Sequence, residues 1–160
     1  MTKIAIDVVL LPSEEMMDKA IEINRELLKE NENKIVLDKQ KCLPHISLCM
    51  GCIEEDNIPK IEESLKKIAS QFSTMNLIAH ELKPETIPSG KIVSGITINN
   101  TKELQSLQET VMKQLWQFLS YDVKISMLFN PPEVEEISCI GLKTMQRNMT
   151  ILLYFIHIFL

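Results

Sequence analysis

The chain has 160 residues, 45% of them apolar, with 22 acidic against 17 basic side chains and a net charge of −5. That length and apolar share suit one globular domain, or two small lobes with a shared core, and exclude a disordered chain. No dense Lys/Arg run is present, which excludes an extended nucleic-acid surface; a small nucleotide or an RNA end needs only a few contacts and stays open.

Residues 3–11, KIAIDVVLL, are rich in Ile and Val and predict a strand. Ser13 stands where an N-cap belongs, with Glu14 and Glu15 in the first turn. Met17, Ala20, Ile21, Asn24, Leu27 and Leu28 follow at helical spacing, which predicts an amphipathic helix over 13–30. A second strand is expected from Leu43 to Cys52. Asn57 is the expected cap of a second helix that carries Pro59 in its first turn and buries Ile58, Ile61, Leu65, Ile68 and Phe72. TMNLIAHEL, residues 74–82, reads as a strand, and after the turn signal PSG at 88–90 so does KIVSGITIN. Asn100 with Glu103 fits a capping box. Leu104, Leu107, Val111, Leu115 and Phe118 mark a third helix.

The unit strand, turn, helix opens the chain and recurs from about residue 90. This order predicts an α+β fold of two related β-α units, with lobes over residues 1–85 and 86–138. From Cys139 to Leu160 the chain holds no acidic residue, no cap and little amphipathic period. Two readings stay open for this segment: a folded terminal strand, or an unrelated tail produced by a shift of reading frame near Ile137 to Cys139. Its apolar end, MTILLYFIHIFL, is shorter than the roughly 20 residues that span a bilayer. IAIDVVLL carries Asp7 and lacks both a basic leader and a small-residue cleavage site, so no signal peptide is expected. With four cysteines, that predicts free thiols, a cytoplasmic location, no membrane partner and a monomer.

The stretch LPHISLCMG, residues 43–51, carries the chemistry. On a strand, alternate side chains share a face, so His45, Ser47 and Cys49 are set against Ile46, Leu48 and Met50. Ile46 and Leu48 serve as core. His45 and Ser47 sit roughly 6–7 Å apart along the strand, a spacing at which a hydroxyl can hold a phosphate oxygen while an imidazole moves a proton. The alternative is a half-buried strand histidine beside an ordinary surface serine. A third reading takes Cys42, His45, Cys49 and Cys52 as zinc ligands, which requires CMGC to fold into a knuckle at Gly51. A thioredoxin-like redox site fits worse, because the next helix starts several residues after Cys52. Buried, inert thiols are the expectation for these cysteines. His80 is read as a surface or edge-strand residue.

PHISL, placed after one strand–helix unit, resembles the first signature of the two-histidine (2H) phosphoesterase superfamily, and within it the 2′-5′ RNA ligase and cyclic phosphodiesterase group. The likeness covers residues 1 to about 138, including PSEEMMDKAIEIN and the late NPPEVEEIS segment. It implies two lobes with antiparallel sheets around a central cleft and one H-x-S/T motif per lobe. One histidine would act as general base and the other as general acid, with the hydroxyls holding the phosphoryl group and neither metal nor cofactor required. His45 and Ser47 match the first motif. The candidate for the second is FIHIFL, in which His157 and Ile158 occupy the expected positions, Phe159 stands in place of the hydroxyl and Ile156 in place of the usual proline. The implied function is hydrolysis or ligation at 2′,3′-cyclic or 2′-5′-linked nucleotide or RNA ends, with activity impaired by the degenerate second motif. The rival is a module that binds a nucleotide or RNA end without turning it over.

Overall fold

The computed structural model describes residues 2–29, 36–86, 92–122, 124–127 and 156–159. The frame-shift point near Ile137 to Cys139, the NPPEVEEIS segment and the PSG turn lie outside these residues, as does most of the 139–160 tail. The fold is α+β. Its strands are β1 (Lys3–Leu10), β2 (Ile46–Glu54), β3 (Ala79–Thr86), β4 (Ile92–Ile98) and β5 (Ile156–Phe159); its helices are α1 (Glu14–Leu28), α2 (Ile58–Ala69) and α3 (Lys102–Leu115). No helix among the described residues is long and apolar enough to cross a membrane.

The chain divides into two compact units, each assembled from three stretches of sequence. One comprises Met1–Val8, Leu48–Asn76 and Asn100–Leu152, the other Val9–Ser47, Leu77–Asn99 and Leu153–Leu160. In the first unit β1 lies beside β2, and α2 packs against α3. Leu48, Cys49, Cys52, Ile53, Ile61, Ile68, Leu104, Val111 and Leu115 are buried there. Past the last described residues of α3, Ser120 exchanges both backbone hydrogen bonds with Cys52, at 2.8 Å each. This closes the far end of β2 without a further strand.

In the second unit the start of β2, β5, β4 and β3 are neighbours in that order, every pair antiparallel. Ile46 pairs with Ile156, and Ile156 pairs with Ile96. Ile46 and Ile96 join Ala20 and Ile21 of α1, Leu37 and Ile98 in one buried cluster. The helical spacing of α1 therefore supplies one wall of this core, and the strand alternation of β2 and β4 supplies the other. Residues 156–159 form β5, which lies between β2 and β4.

Capping chemistry sets the helix starts. Ser13 caps α1, its Oγ accepting from the Met16 amide at 3.3 Å, as expected of a serine ahead of an acidic first turn. The other two expected caps are corrected. Asn57 has helical rather than extended dihedrals and no side-chain cap bond, because a 3-10 turn over Glu55–Asn57 runs directly into α2. Thr101, not Asn100, caps α3: its backbone is extended and its Oγ1 accepts from the Leu104 amide at 3.1 Å. Glu103 thus falls one position short of the box and serves only as a first-turn charge.

β3 is displaced from the predicted 74–82. It begins at Ala79 and continues through Pro84 to Thr86. Pro84 is tolerated because β3 is the last strand of its ladder, where a missing N–H on the open side costs nothing.

Candidate functional site

The residues leading into β2 are organised by polar contacts before any strand hydrogen bond forms. Asn24, fully buried on α1, accepts the Leu37 amide on its Oδ1 at 2.9 Å. Asp38 then takes the amides of Gln40, Lys41 and Cys42 on one carboxylate oxygen, at 2.7, 2.5 and 3.2 Å. Its own amide donates to the Cys42 carbonyl at 2.9 Å. These bonds, from Lys41 above all, favour the ionised form and lower the carboxyl pKa. Lys39 reaches back to Asp18 of α1 at 2.6 Å, and that ammonium is held above its ordinary pKa by the bond to Asp18.

Pro44 follows, buried, with its φ fixed by the ring. His45 is half-buried, and its Nδ1 lies 2.6 Å from the Leu43 carbonyl. A carbonyl oxygen only accepts, so Nδ1 carries the proton and Nε2 is the ring atom able to take one up. A histidine with this tautomer can act as a base through Nε2 and, once charged, as an acid through the same atom.

Ser47 is 1% exposed. The surface-serine alternative is therefore corrected: β2 is enclosed on both faces, and Ser47 lies inside. A strand buried on both faces cannot show the clean in–out alternation assumed from its sequence.

The β5 register determines how the second candidate relates to the first. Ile46, the residue after His45, pairs with Ile156, the residue before His157, in an antiparallel ladder. On its other side the His157 backbone pairs with Gly95 of β4, and Ile158 pairs with the buried Ser94. His45 and His157, 112 positions apart in the chain, thus each lie one residue from that pair. Only the backbone of His157 is described.

The cysteines behave as packing. Cys49 and Cys52 are fully buried free thiols, and Cys42 is a partly buried one. Burial pushes the Cys49 thiol up to about 12, with the charge of Asp7 adding to the effect. Burial also raises Cys42, with Asp38 contributing. Among the described residues no three His, Cys, Asp or Glu side chains come together as metal ligands. The reading of Cys42, His45, Cys49 and Cys52 as a zinc site is corrected accordingly. β2 runs unbroken through Gly51, so residues 49 and 52 stay on opposite faces of the strand and no knuckle forms.

His80 lies exposed on the end strand β3, hydrogen-bonded through Nε2 to the Asn99 side chain. It has no part in the arrangement around His45. What sequence reasoning missed is the loop ahead of the motif. An aspartate followed within four residues by amides it can accept is an Asx-type turn signal, and DKQKC carries it.

No family model matches the chain, and no curated protein matches it.

Proposed function

We propose that this protein is a metal-independent phosphoesterase of the two-histidine type, acting on 2′,3′-cyclic or 2′-5′-linked nucleotide or RNA ends. His45 would serve as one acid/base and His157 as the other. The observation that carries the reading is the His45 Nδ1–H bond to the Leu43 carbonyl, which orients the imidazole at the start of the motif. The pairing of Ile46 with Ile156, one residue from each histidine, supports it further, because a two-histidine mechanism needs both imidazoles on one substrate.

In this reading a ribose hydroxyl or water loses its proton to one imidazole as it attacks phosphorus. The leaving oxygen receives a proton from the other. Two such transfers would contribute about 10²- to 10⁴-fold each. Ser47 is the candidate holder of a phosphoryl oxygen through its hydroxyl. The decisive measurement is hydrolysis of a 2′,3′-cyclic nucleotide by the wild type and by His45→Ala; equal rates end the assignment of His45.

Two observations favour a second reading, a module that binds a nucleotide or RNA end without turnover. Ser47 is enclosed, and Phe159 replaces the second hydroxyl. Saturable binding of the cyclic nucleotide with no product in either protein would select it.

A further inference from the structure

We propose that the outer edge of β3 docks a second copy of this chain, paired antiparallel about Leu82 so that Glu81 of each copy stands opposite Lys83 of the other. This dimer stands in place of the monomer expected from the sequence and does not depend on the phosphoesterase reading. Among the described residues β3 is the end strand of its ladder, and residues 78–84 are exposed without a break, Ile78 at 60% and Leu82 at 39%. An open edge offers a row of backbone donors and acceptors to another strand. The contacts of Glu81 show which residues offer them. Its amide donates to the Thr97 Oγ1 of β4 at 3.3 Å, and that hydroxyl donates to the Glu81 carbonyl at 3.4 Å. Both backbone polar groups of Glu81 therefore turn toward β4. Along an extended strand that direction alternates, so those of Leu82 and Pro84 turn outward.

Pairing across a two-fold axis favours one register. An axis through residue 81 sets Glu81 against Glu81, and an axis through residue 83 sets Lys83 against Lys83. An axis through residue 82 sets Glu81 against Lys83 twice and Leu82 against Leu82. Opposite charges directly across a ladder attract, whereas like charges there destabilise it, so the axis falls at Leu82. In that register the two Leu82 residues exchange both ladder bonds, and each covers the apolar surface of the other. Pro84 has no amide to give and stands opposite His80 of the second copy, which keeps the ladder short. Lys83, Pro84 and the bulge between Ala79 and Leu82 are devices that keep an edge from adding strands indiscriminately. A two-fold pair is compatible with them, because each copy uses up the edge of the other and the assembly closes at two.

Analytical ultracentrifugation of the full chain tests this from about 1 to about 100 µM, since so short a ladder gives a weak dimer. The wild type should pass from monomer to dimer across that range. Glu81→Lys sets lysine against lysine at both charge pairs, and Lys83→Glu sets glutamate against glutamate. Each change alone should raise the dimer Kd about tenfold or more. Both residues are exposed, so neither change reaches the core. The double reversal, Glu81→Lys with Lys83→Glu, restores opposite charges and should return Kd to within about threefold of wild type. An equimolar mixture of the two single variants should also dimerise, because the lysines of one then face the glutamates of the other. A wild type that stays monomeric at about 100 µM overturns the proposal, even if its edge accepts an extended peptide from a different protein. A dimer whose Kd the single reversals leave unchanged overturns it too, because that dimer uses another surface.

Discussion

The two ends of β2 carry similar residue types and do opposite things. Just ahead of it His45 is half-buried, its ring Nδ1 held by a backbone carbonyl. A few residues on, Cys49 and Cys52 are fully enclosed, and Cys52 is bridged by Ser120. In sequence the four residues Cys42, His45, Cys49 and Cys52 look like one cluster. In the fold they separate into an imidazole set by the Leu43 carbonyl and thiols that are wholly or partly buried. The lesson is that a reactive residue type becomes a reactive group only through its immediate polar partners. A hydrogen-bond acceptor sets the orientation of an imidazole, whereas burial holds a thiol in its neutral form.

The sharpest way to break this contrast is a pair of variants. His45→Ala should reduce hydrolysis of a 2′,3′-cyclic nucleotide by about 10²-fold or more, while His80→Ala on the exposed end strand leaves it within about twofold. If the two lose activity alike, position 45 holds no special role. At the far end of β2 the expected losses are in stability. Ile53→Ala should cost about 2–5 kcal/mol by denaturant titration, because Ile53 is buried at 1% exposure and leaves a cavity.

A smaller effect comes from the Cys49 thiol. Its folded pKa of about 12 lies above the roughly 8.5 of an unfolded thiol. The folded state therefore holds the proton more tightly, and the stabilisation is complete below about pH 8.5 and lost progressively as pH rises toward 12. Between about pH 8.5 and 9.5 the loss should be about 1 kcal/mol, and Cys49→Ala should flatten that part of the stability profile. A thiol-alkylating reagent that modifies Cys49 in the native protein at neutral pH would contradict its enclosure. The smallest change is expected from Gly51→Ala. The added Cβ meets the Leu119 Cδ2 at 2.7 Å, the mobile end of a side chain that can turn aside, so the cost should stay under about 1 kcal/mol. A larger loss would mean that Leu119 is locked against this end of β2.

Local signals carried much of the fold. Lys3–Leu10, Glu14–Leu28, Ile58–Ala69 and Lys102–Leu115 fall close to their predicted spans, because side-chain periodicity is a property of the segment alone. The caps at Asn57 and Asn100 failed for a related reason. Each residue type is right for a cap, but whether it caps depends on backbone dihedrals set by what precedes the helix, a 3-10 turn in one case and Thr101 in the other. The alternation of β2 misled in the same way. Ser47 reads as an outward residue until a second layer covers that face, and nothing local to ISLCMG announces the cover.

By itself the sequence determined the element types, the α+β class, the H-x-S pattern at His45 and the H-x-F pattern at His157. Those follow from periodicity, propensity and residue identity over a few neighbouring positions. Only the tertiary structure decided that β5 enters between β2 and β4, that Ile46 beside His45 pairs with Ile156 beside His157, and that Asn24 and Asp38 shape the loop ahead of His45. Strand pairing and buried hydrogen bonds join residues many positions apart, and their free energy depends on which partner the whole chain brings alongside.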